Sequence, residues 1–113
     1  MGFFYFGNNS KSEIQSCALK ISTGLGQIEQ EYTSSNGKAT PIVSGIAMAL
    51  QNEVRALERL LKPNGRTDWN LYNSMTVKWN DGSEIPFRLF EARLNNEARI
   101  LRAQTGIDIS IWL

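Results

Sequence analysis

Two prolines bracket the longest apolar pattern in this chain and restrict its fold more than any other feature. Thr40-Pro41 pairs a capping residue with the residue best tolerated at the first helical position, and Pro63-Asn64-Gly65 ends the pattern. Between them, apolar residues recur at helical spacing over about half of the helical wheel: Ile42, Val43, Ile46, Ala49, Leu50, Val54, Leu57, Leu60 and Leu61. One neighbouring helix normally covers less than half of the wheel. We therefore expect a helix over 41–62 that is central in the fold or that also packs on another subunit.

A second helical pattern precedes this one, over about residues 11–32. Ser10 and Glu13 have the spacing of a capping box. The apolar residues that follow fall in one arc: Ile14, Cys17, Ala18, Ile21, Leu25, Ile28 and Tyr32. Gly24 and Gly26 each weaken the helix by roughly 1 kcal/mol relative to Ala, and they mark a kink, a close helix contact or an early end. Residues 33–38 read as a turn-rich linker.

Strand signals occupy both ends of the chain and one internal hairpin. Residues 3–6 form a short apolar run before a turn, and residues 107–113 alternate strictly. Residues 75–79 alternate as well, and Asn80-Asp81-Gly82 is a hairpin turn that leads into a returning strand over 83–87. Pro86 indicates that the returning strand lies at an edge. Residues 67–73 are ambiguous between a helical turn and a loop, and a third helix is expected over 88–104, closed by Gly106.

These elements predict one α+β domain that spans residues 1–113. The order is β-α-α-β-β-α-β, in which about four strands form a small antiparallel sheet and three helices pack on one face of it. The first and last strands pair in this arrangement, which brings the termini together.

The absence of histidine narrows the possible chemistry, and Cys17 is the single cysteine. Histidine is the commonest general base and metal ligand, so Ser-His-Asp designs, Cys-His designs and zinc sites built from His or Cys are excluded. The sequence also contains no dinucleotide fingerprint, Walker motif or calcium loop. We therefore predict no catalytic residue, no metal site and no cofactor, and favour a binding protein over an enzyme.

The compartment follows from the same residues and from the N-terminus. One cysteine forms no internal disulfide, which suits a reducing compartment. The opening sequence has no basic segment, and its apolar run ends after Phe6, so it matches neither a signal peptide nor a membrane span. We expect a cytoplasmic protein with no membrane contact.

The third helix carries the candidate ligand-binding residues. Arg88, Asn95, Arg99 and Arg102 share the side of the wheel opposite the core stripe, and the small residues Ala92 and Ala103 lie among them. Guanidinium groups match phosphates and carboxylates with a planar fork of donors, so this face suits an anionic ligand. The alternative is an ordinary solvated face on which the arginines pair with Glu91, Glu97 and water.

Three further features complete the set of candidates. Glu53 lies within the apolar arc of the second helix. Its structural interpretation is an ion pair with an arginine such as Arg93, or exposure at a helix end. Its functional interpretation is an acid or base with a raised pKa. Leu89 and Ile100 flank Arg93 and add to the expectation of a homo-oligomer. Four aromatic residues lie outside the three predicted helices: Trp69, Tyr72, Trp79 and Trp112. We expect them either to stack on the bases of a nucleic acid or to fill a core or a subunit interface.

Two functions from different classes follow. The first is a non-catalytic binding protein, homo-oligomeric, for an anionic ligand such as a nucleotide or nucleic acid. The second is a protein–protein interaction module, for example a small viral or mobile-element accessory protein that docks on and inhibits a partner. Phosphate binding weakens steeply with ionic strength, whereas an apolar interface does not, so salt separates the two.

Overall fold

The computed structural model of the protein describes residues 6–38 and 40–107. Within these ranges the chain forms four helices and a two-stranded antiparallel hairpin, which makes it an α+β fold. The elements, in chain order, are α1 Phe6–Ser34, α2 Pro41–Leu61, α3 Trp69–Ser74, β1 Thr76–Lys78, β2 Glu84–Pro86 and α4 Phe87–Thr105.

Helix α1 begins at Phe6, five residues before the position that the capping-box spacing predicted. Ser10 and Glu13 therefore lie inside the helix and do not cap it. Gly, Asn and Ser each destabilise a helix by at most about 1 kcal/mol, and no proline lies between Phe6 and Ser10. The segment before Ser10 can therefore be helical. The C-terminal end agrees with the sequence, because α1 ends at Ser34 and left-handed Asn36 and Gly37 form the turn that follows.

Helix α2 begins and ends where the prolines predict. The Thr40 Oγ1 atom accepts a hydrogen bond from the backbone N–H of Val43 at 3.3 Å, and Lys62 caps the other end. The wide apolar arc splits into two parts. One part is buried, as Val43, Ala47, Leu50, Val54, Leu57 and Leu61. The other part is not, since Ile42 is 59% exposed and Ala49 is also exposed.

Gly24 is the point at which α1 and α2 approach each other closely. A Cβ atom at this position would collide with the side chain of Leu50. Of the three interpretations that the sequence left open for this glycine, a close helix contact is therefore the one the structure bears out. Gly26, in the same helix, faces the side chain of Asn80 in the hairpin.

The hairpin packs against the opposite side of α1 and leads directly into α4. Val77 lies opposite Ile85 in the ladder, and both are buried while their neighbours are exposed. The Asn80 side chain donates from Nδ2 to the backbone oxygen of Ser22 at 2.6 Å. The buried residues of α1, α2, the hairpin and α4 form one continuous core, in which Trp79 packs edge-on against Phe90.

The described residues thus contain four helices and two strands, where the sequence predicted three helices and about four strands. Residues 67–73, which were ambiguous, include the short helix α3, capped by Asp68. Of the predicted first strand, Phe6 is helical and residues 3–5 lie outside the described residues. Of the predicted last strand, Ile107 follows the α4 cap without regular structure and residues 108–113 lie outside the described residues. The same holds for the pairing of these two strands.

The predicted layering of three helices on one sheet face is also wrong. Helix α2 packs against α1, while the hairpin contacts α1 and α4. A two-stranded hairpin buries too little surface to cover three helices, so the helices pack mainly on one another. In the described ranges, no helix has an apolar stretch long enough to cross a membrane.

Candidate functional site

One half of α4 faces away from the core and carries the candidate residues. We call it the α4 outer face. It consists of Arg88, Leu89, Ala92, Arg93, Asn95, Asn96, Arg99, Ile100, Arg102 and Ala103. The opposite stripe is buried, as Phe87, Phe90, Leu94, Ala98 and Leu101. Because successive residues are rotated by 100° around the helix axis, burial of this stripe fixes which side chains point outward.

Of the four arginines on the α4 outer face, Arg88 and Arg99 are exposed, whereas Arg93 and Arg102 are partly buried at its edges. The two acidic residues of α4, Glu91 and Glu97, are both partly buried and lie at its margins. Glu91 Oε1 accepts a hydrogen bond from the Tyr72 hydroxyl at 2.6 Å. Burial and this bond to Glu91 raise the pKa of Tyr72 above its ordinary value. The pKa of Glu97 is also raised, by burial first and by the nearby Glu29 second, while Arg93 lowers it.

Arg88 is held by α3 at the N-terminal end of this face. Its Nε and Nη2 atoms donate to Asn73 Oδ1 at 3.1 and 2.8 Å. Its guanidinium carbon lies 5.8 Å from the ring centroid of Tyr72, within the range of a cation–π contact. Asn73 and Tyr72 lie 15 and 16 positions before Arg88 in the sequence, so helical periodicity gave no signal for either contact.

Arg99 and Arg102 lie near the C-terminal end of α4. The exposed Arg99 donates from Nη2 to Asn96 Oδ1 at 2.7 Å, and Arg102 is partly buried. Asn95 is exposed one turn before Arg99. At 1.5 Å per residue, Arg88 lies about 21 Å along the axis from Arg102, so these residues share a face but do not surround one small ligand.

Arg93 belongs to the same face and stacks on the hairpin. Its guanidinium carbon lies 5.2 Å from the ring centroid of Trp79. Trp79 is itself 5% exposed, so its ring belongs to the core. Leu89 and Ile100, which flank Arg93 on the wheel, remain 47% and 45% exposed. Of the other aromatic residues that the sequence marked, Trp69 is 60% exposed and Trp112 lies outside the described residues.

Glu53 has a different neighbour from the one that the sequence suggested. Its carboxylate lies near enough to Cys17, across the contact between α1 and α2, to raise the pKa of that thiol, while Arg93 lies against Trp79. Partial burial, followed by the hydrogen bond and negative charge of Glu53, raises the pKa of Cys17 to about 11. A thiol with this pKa is protonated at neutral pH, so it is a poor nucleophile and a poor metal ligand.

In the two described ranges, no group of three or more Cys, Asp or Glu side chains is arranged to hold a metal ion. Comparison of the chain with protein-family models, with curated proteins and with solved structures gave no match. The chemistry of the α4 outer face is therefore the basis for the functional argument.

Proposed function

We propose that the protein is a non-catalytic binding protein for a nucleic acid and that the α4 outer face is its contact surface. The observation that carries this proposal is that Arg88 and Arg99 are exposed on the outward side of a 19-residue helix, with Arg102 at the margin of that side. Arg88, Asn95, Arg99 and Arg102 are the proposed ligand-binding residues. Arginine offers several donors to each phosphate, and asparagine adds donors and acceptors for bases or sugars.

The geometry favours an extended anion over a single nucleotide. The arginines lie on the outer surface of a helix, which does not enclose a small ligand, and they are spread over about 21 Å of its length. Consecutive phosphates of one DNA strand are spaced by about 3.4 Å along the axis, so this length matches about six of them. Ala92 and Ala103 keep the face low between the arginines, and a helix of this diameter enters a major groove.

The proposal is tested with Arg99→Ala and Arg102→Ala, each measured for thermal melting and for affinity to a duplex oligonucleotide. A well-made charged hydrogen bond contributes about 1.5–3 kcal/mol, so affinity should fall roughly tenfold or more. Melting of the Arg99 variant should barely change, because exposed arginines contribute little to stability. Arg66→Ala, which removes an exposed arginine outside α4, is the matched control. Unchanged affinity in both variants would contradict the proposal.

A second candidate is a protein–protein interaction module, which Leu89 and Ile100 favour. Both are large apolar residues that remain nearly half exposed on the same face. Such a module would dock on a partner and inhibit it, as a small viral or mobile-element accessory protein does. Leu89→Ala and Ile100→Ala separate the candidates: they should weaken a protein complex, whereas a phosphate-bound complex should depend mainly on the arginines.

We also propose that the protein is a cytoplasmic homo-oligomer. The homo-oligomer is supported by the exposed part of the α2 apolar arc, which includes Ile42 and Ala49. Contact with a second subunit is the simplest way to bury these residues. The lone thiol of Cys17 supports a reducing compartment.

A further inference from the structure

A pocket of about 190 Å³ lies between the end of α2, the short helix α3 and the inner margin of α4. Leu61 and Tyr72 form apolar parts of its wall, and Trp69 stands beside Tyr72 with its ring 60% exposed. Two carboxylates, from Glu58 and Glu91, also line it. This pocket is separate from the α4 outer face, because its residues lie on the side of α4 that turns towards α3.

The aromatic part of the pocket is built rather than loose. The rings of Trp69 and Tyr72 meet edge-on, with centroids 5.4 Å apart and an interplanar angle of 77°. Tyr72 is fixed on its other side by Phe87, also edge-on at 5.4 Å. The Tyr72 hydroxyl in turn orients the carboxylate of Glu91 through a hydrogen bond of 2.6 Å. Trp69, Tyr72 and the carboxylate that Tyr72 orients thus line one small cavity.

The charge of the lining is complementary to a single positive charge. Glu58 and Glu91 contribute two negative charges, and Lys62 contributes one positive charge. A monovalent cation would neutralise the remainder. Aromatic ring faces attract cations electrostatically, and most strongly when the cation has lost its water. Arg88 already lies against the ring of Tyr72, so the exposed Trp69 provides the aromatic surface that a further cation would contact.

The volume limits what fits. Pockets for drug-sized ligands run from about 300 to 1,000 Å³, so this cavity accommodates one functional group rather than a nucleotide or a peptide. An alkylammonium group combines a compact positive charge with apolar methyl or methylene groups, which match the carboxylates and the rings respectively. We propose that this pocket binds an organic ammonium group, which lies against Trp69 and pairs with Glu58 and Glu91.

The same ammonium chemistry has two sources, a free amine or a lysine-type side chain of a partner protein. Choline represents the first, and trimethyl-lysine capped as an N-acetyl methylamide represents the second. Binding of either one supports the pocket, and the tighter of the two identifies the source. The neutral control is 3,3-dimethylbutanol, which has the shape of choline without its charge.

The experiment follows the indole N–H resonance of Trp69 during titration of the full chain with each probe. That resonance is identified by its loss in Trp69→Phe. We expect saturable shifts with choline or with the trimethyl-lysine probe, and no saturable shift with 3,3-dimethylbutanol. Equal responses to choline and to the neutral control would overturn the proposal, as would the absence of a saturable response to both cations.

Variants assign the site to the named residues. Trp69→Ala removes an exposed ring and should weaken cation binding about fivefold or more, while Trp69→Phe should keep most of the affinity. Glu58→Gln should weaken binding as well, whereas Glu84→Gln removes an exposed carboxylate from the hairpin and should leave it unchanged. A matching loss in Glu84→Gln would show nonspecific charge attraction and would overturn the proposal. Affinities of all variants are measured by isothermal titration calorimetry, because the Trp69 variants lack the indole resonance. Melting of each variant is measured alongside, and Glu58→Gln provides the test if Trp69→Ala does not fold.

Discussion

At the scale of single residues, two glycines in helices have opposite roles. Gly24 lets α1 approach α2, since a Cβ atom there would collide with the buried side chain of Leu50. Gly45, in the interior of α2, has no neighbouring atom within 4 Å of an added Cβ. The sequence marked Gly24 as unusual, but it did not distinguish a contact from a kink, because that depends on which residue of α2 lies opposite.

The two glycines give a paired prediction. Gly45→Ala should raise the free energy of unfolding by about 0.5–1 kcal/mol, because alanine restricts the unfolded chain and favours the helix. Gly24→Ala should lower it by about 1–3 kcal/mol, because the core must shift to admit the methyl group. Urea unfolding followed by circular dichroism measures both. A stabilised Gly24→Ala variant would contradict the close contact between α1 and α2.

Cys17 gives a prediction about pH. Burial and the neighbouring Glu53 raise its pKa from 9.0 to about 11. Alkylation of the folded protein by iodoacetamide should therefore accelerate with a midpoint near pH 11, and that of the protein unfolded in guanidinium near pH 9. Coincident midpoints would contradict the raised pKa of Cys17.

The same shift affects stability, with a definite sign. The folded state holds the Cys17 proton more tightly than the unfolded state, so this contribution is fully present below pH 9 and is lost as the pH rises towards 11. Cys17→Ala should consequently lose less stability than the wild-type protein over this range. Urea unfolding at pH 8 and pH 11 measures the difference. An equal loss in both proteins would contradict the raised pKa.

At the scale of elements, two amide side chains fasten the hairpin to α1. Gln15 donates from Nε2 to the backbone oxygen of Thr76 at 3.0 Å, and Asn80 donates to the backbone oxygen of Ser22 at 2.6 Å. Gly26 leaves room for the Asn80 side chain. A two-stranded hairpin is marginally stable alone, so this attachment and its buried residues Val77 and Ile85 maintain it.

Asn80 provides the test of this attachment. Asn80→Ala should lower the free energy of unfolding by about 1 kcal/mol through the lost hydrogen bond. Asn80→Asp keeps the shape but directs a carboxylate oxygen at the carbonyl of Ser22, so it should lower stability further. Thermal or urea unfolding compares the two. Wild-type stability in both variants would show that the bond contributes nothing.

Local signals predicted the elements that they fully determine. The ends of α2, the turn of the hairpin and the cap of α4 at Gly106 all follow from proline, glycine and capping residues, and each lies where the sequence put it. The start of α1 did not follow, because Ser10 and Glu13 match a cap that the continuing helix overrides. Prediction of α4 also selected its outward face correctly, because periodicity separates core from surface.

Contacts between distant residues were out of reach of the sequence. The link from Arg88 to Asn73 and that from Cys17 to Glu53 depend on how the helices pack. The pocket beside Trp69 joins Glu58 and Glu91, which are far apart in the chain. The sequence offered only the aromatic residues as a signal for it.

At the scale of the whole molecule, the structure is elongated, with extents of 51 by 23 by 23 Å. Its radius of gyration of 14.9 Å exceeds the value of about 13 Å expected of a compact domain of this length. An elongated chain exposes a larger share of each helix to solvent or to a partner. This accords with the exposed apolar residues of α2 and α4, among which Ile42 and Met48 are 59% and 68% exposed.

The elongated shape with its exposed α2 stripe leads to a prediction about assembly. We expect sedimentation velocity at micromolar concentration to show a dimer or larger oligomer, because a second subunit would cover Ile42, Ile46 and Ala49. Ile42→Lys should shift the population towards monomer, and Ser44→Lys, which adds the same charge at an exposed polar position on another side of α2, is the matched control. Monomer alone in the wild-type protein would contradict the prediction.

The central claim is that the α4 outer face binds a nucleic acid through its phosphates, and the salt dependence of affinity tests it most directly. Each phosphate contact on duplex DNA contributes a slope of about −0.9 to log K against log salt, so two to four arginine contacts predict a slope of roughly −2 to −4. Arg99→Ala should reduce this slope by about one, and Arg66→Ala should leave it unchanged. A wild-type affinity that stays flat with salt, or a slope that Arg99→Ala does not alter, would contradict the claim.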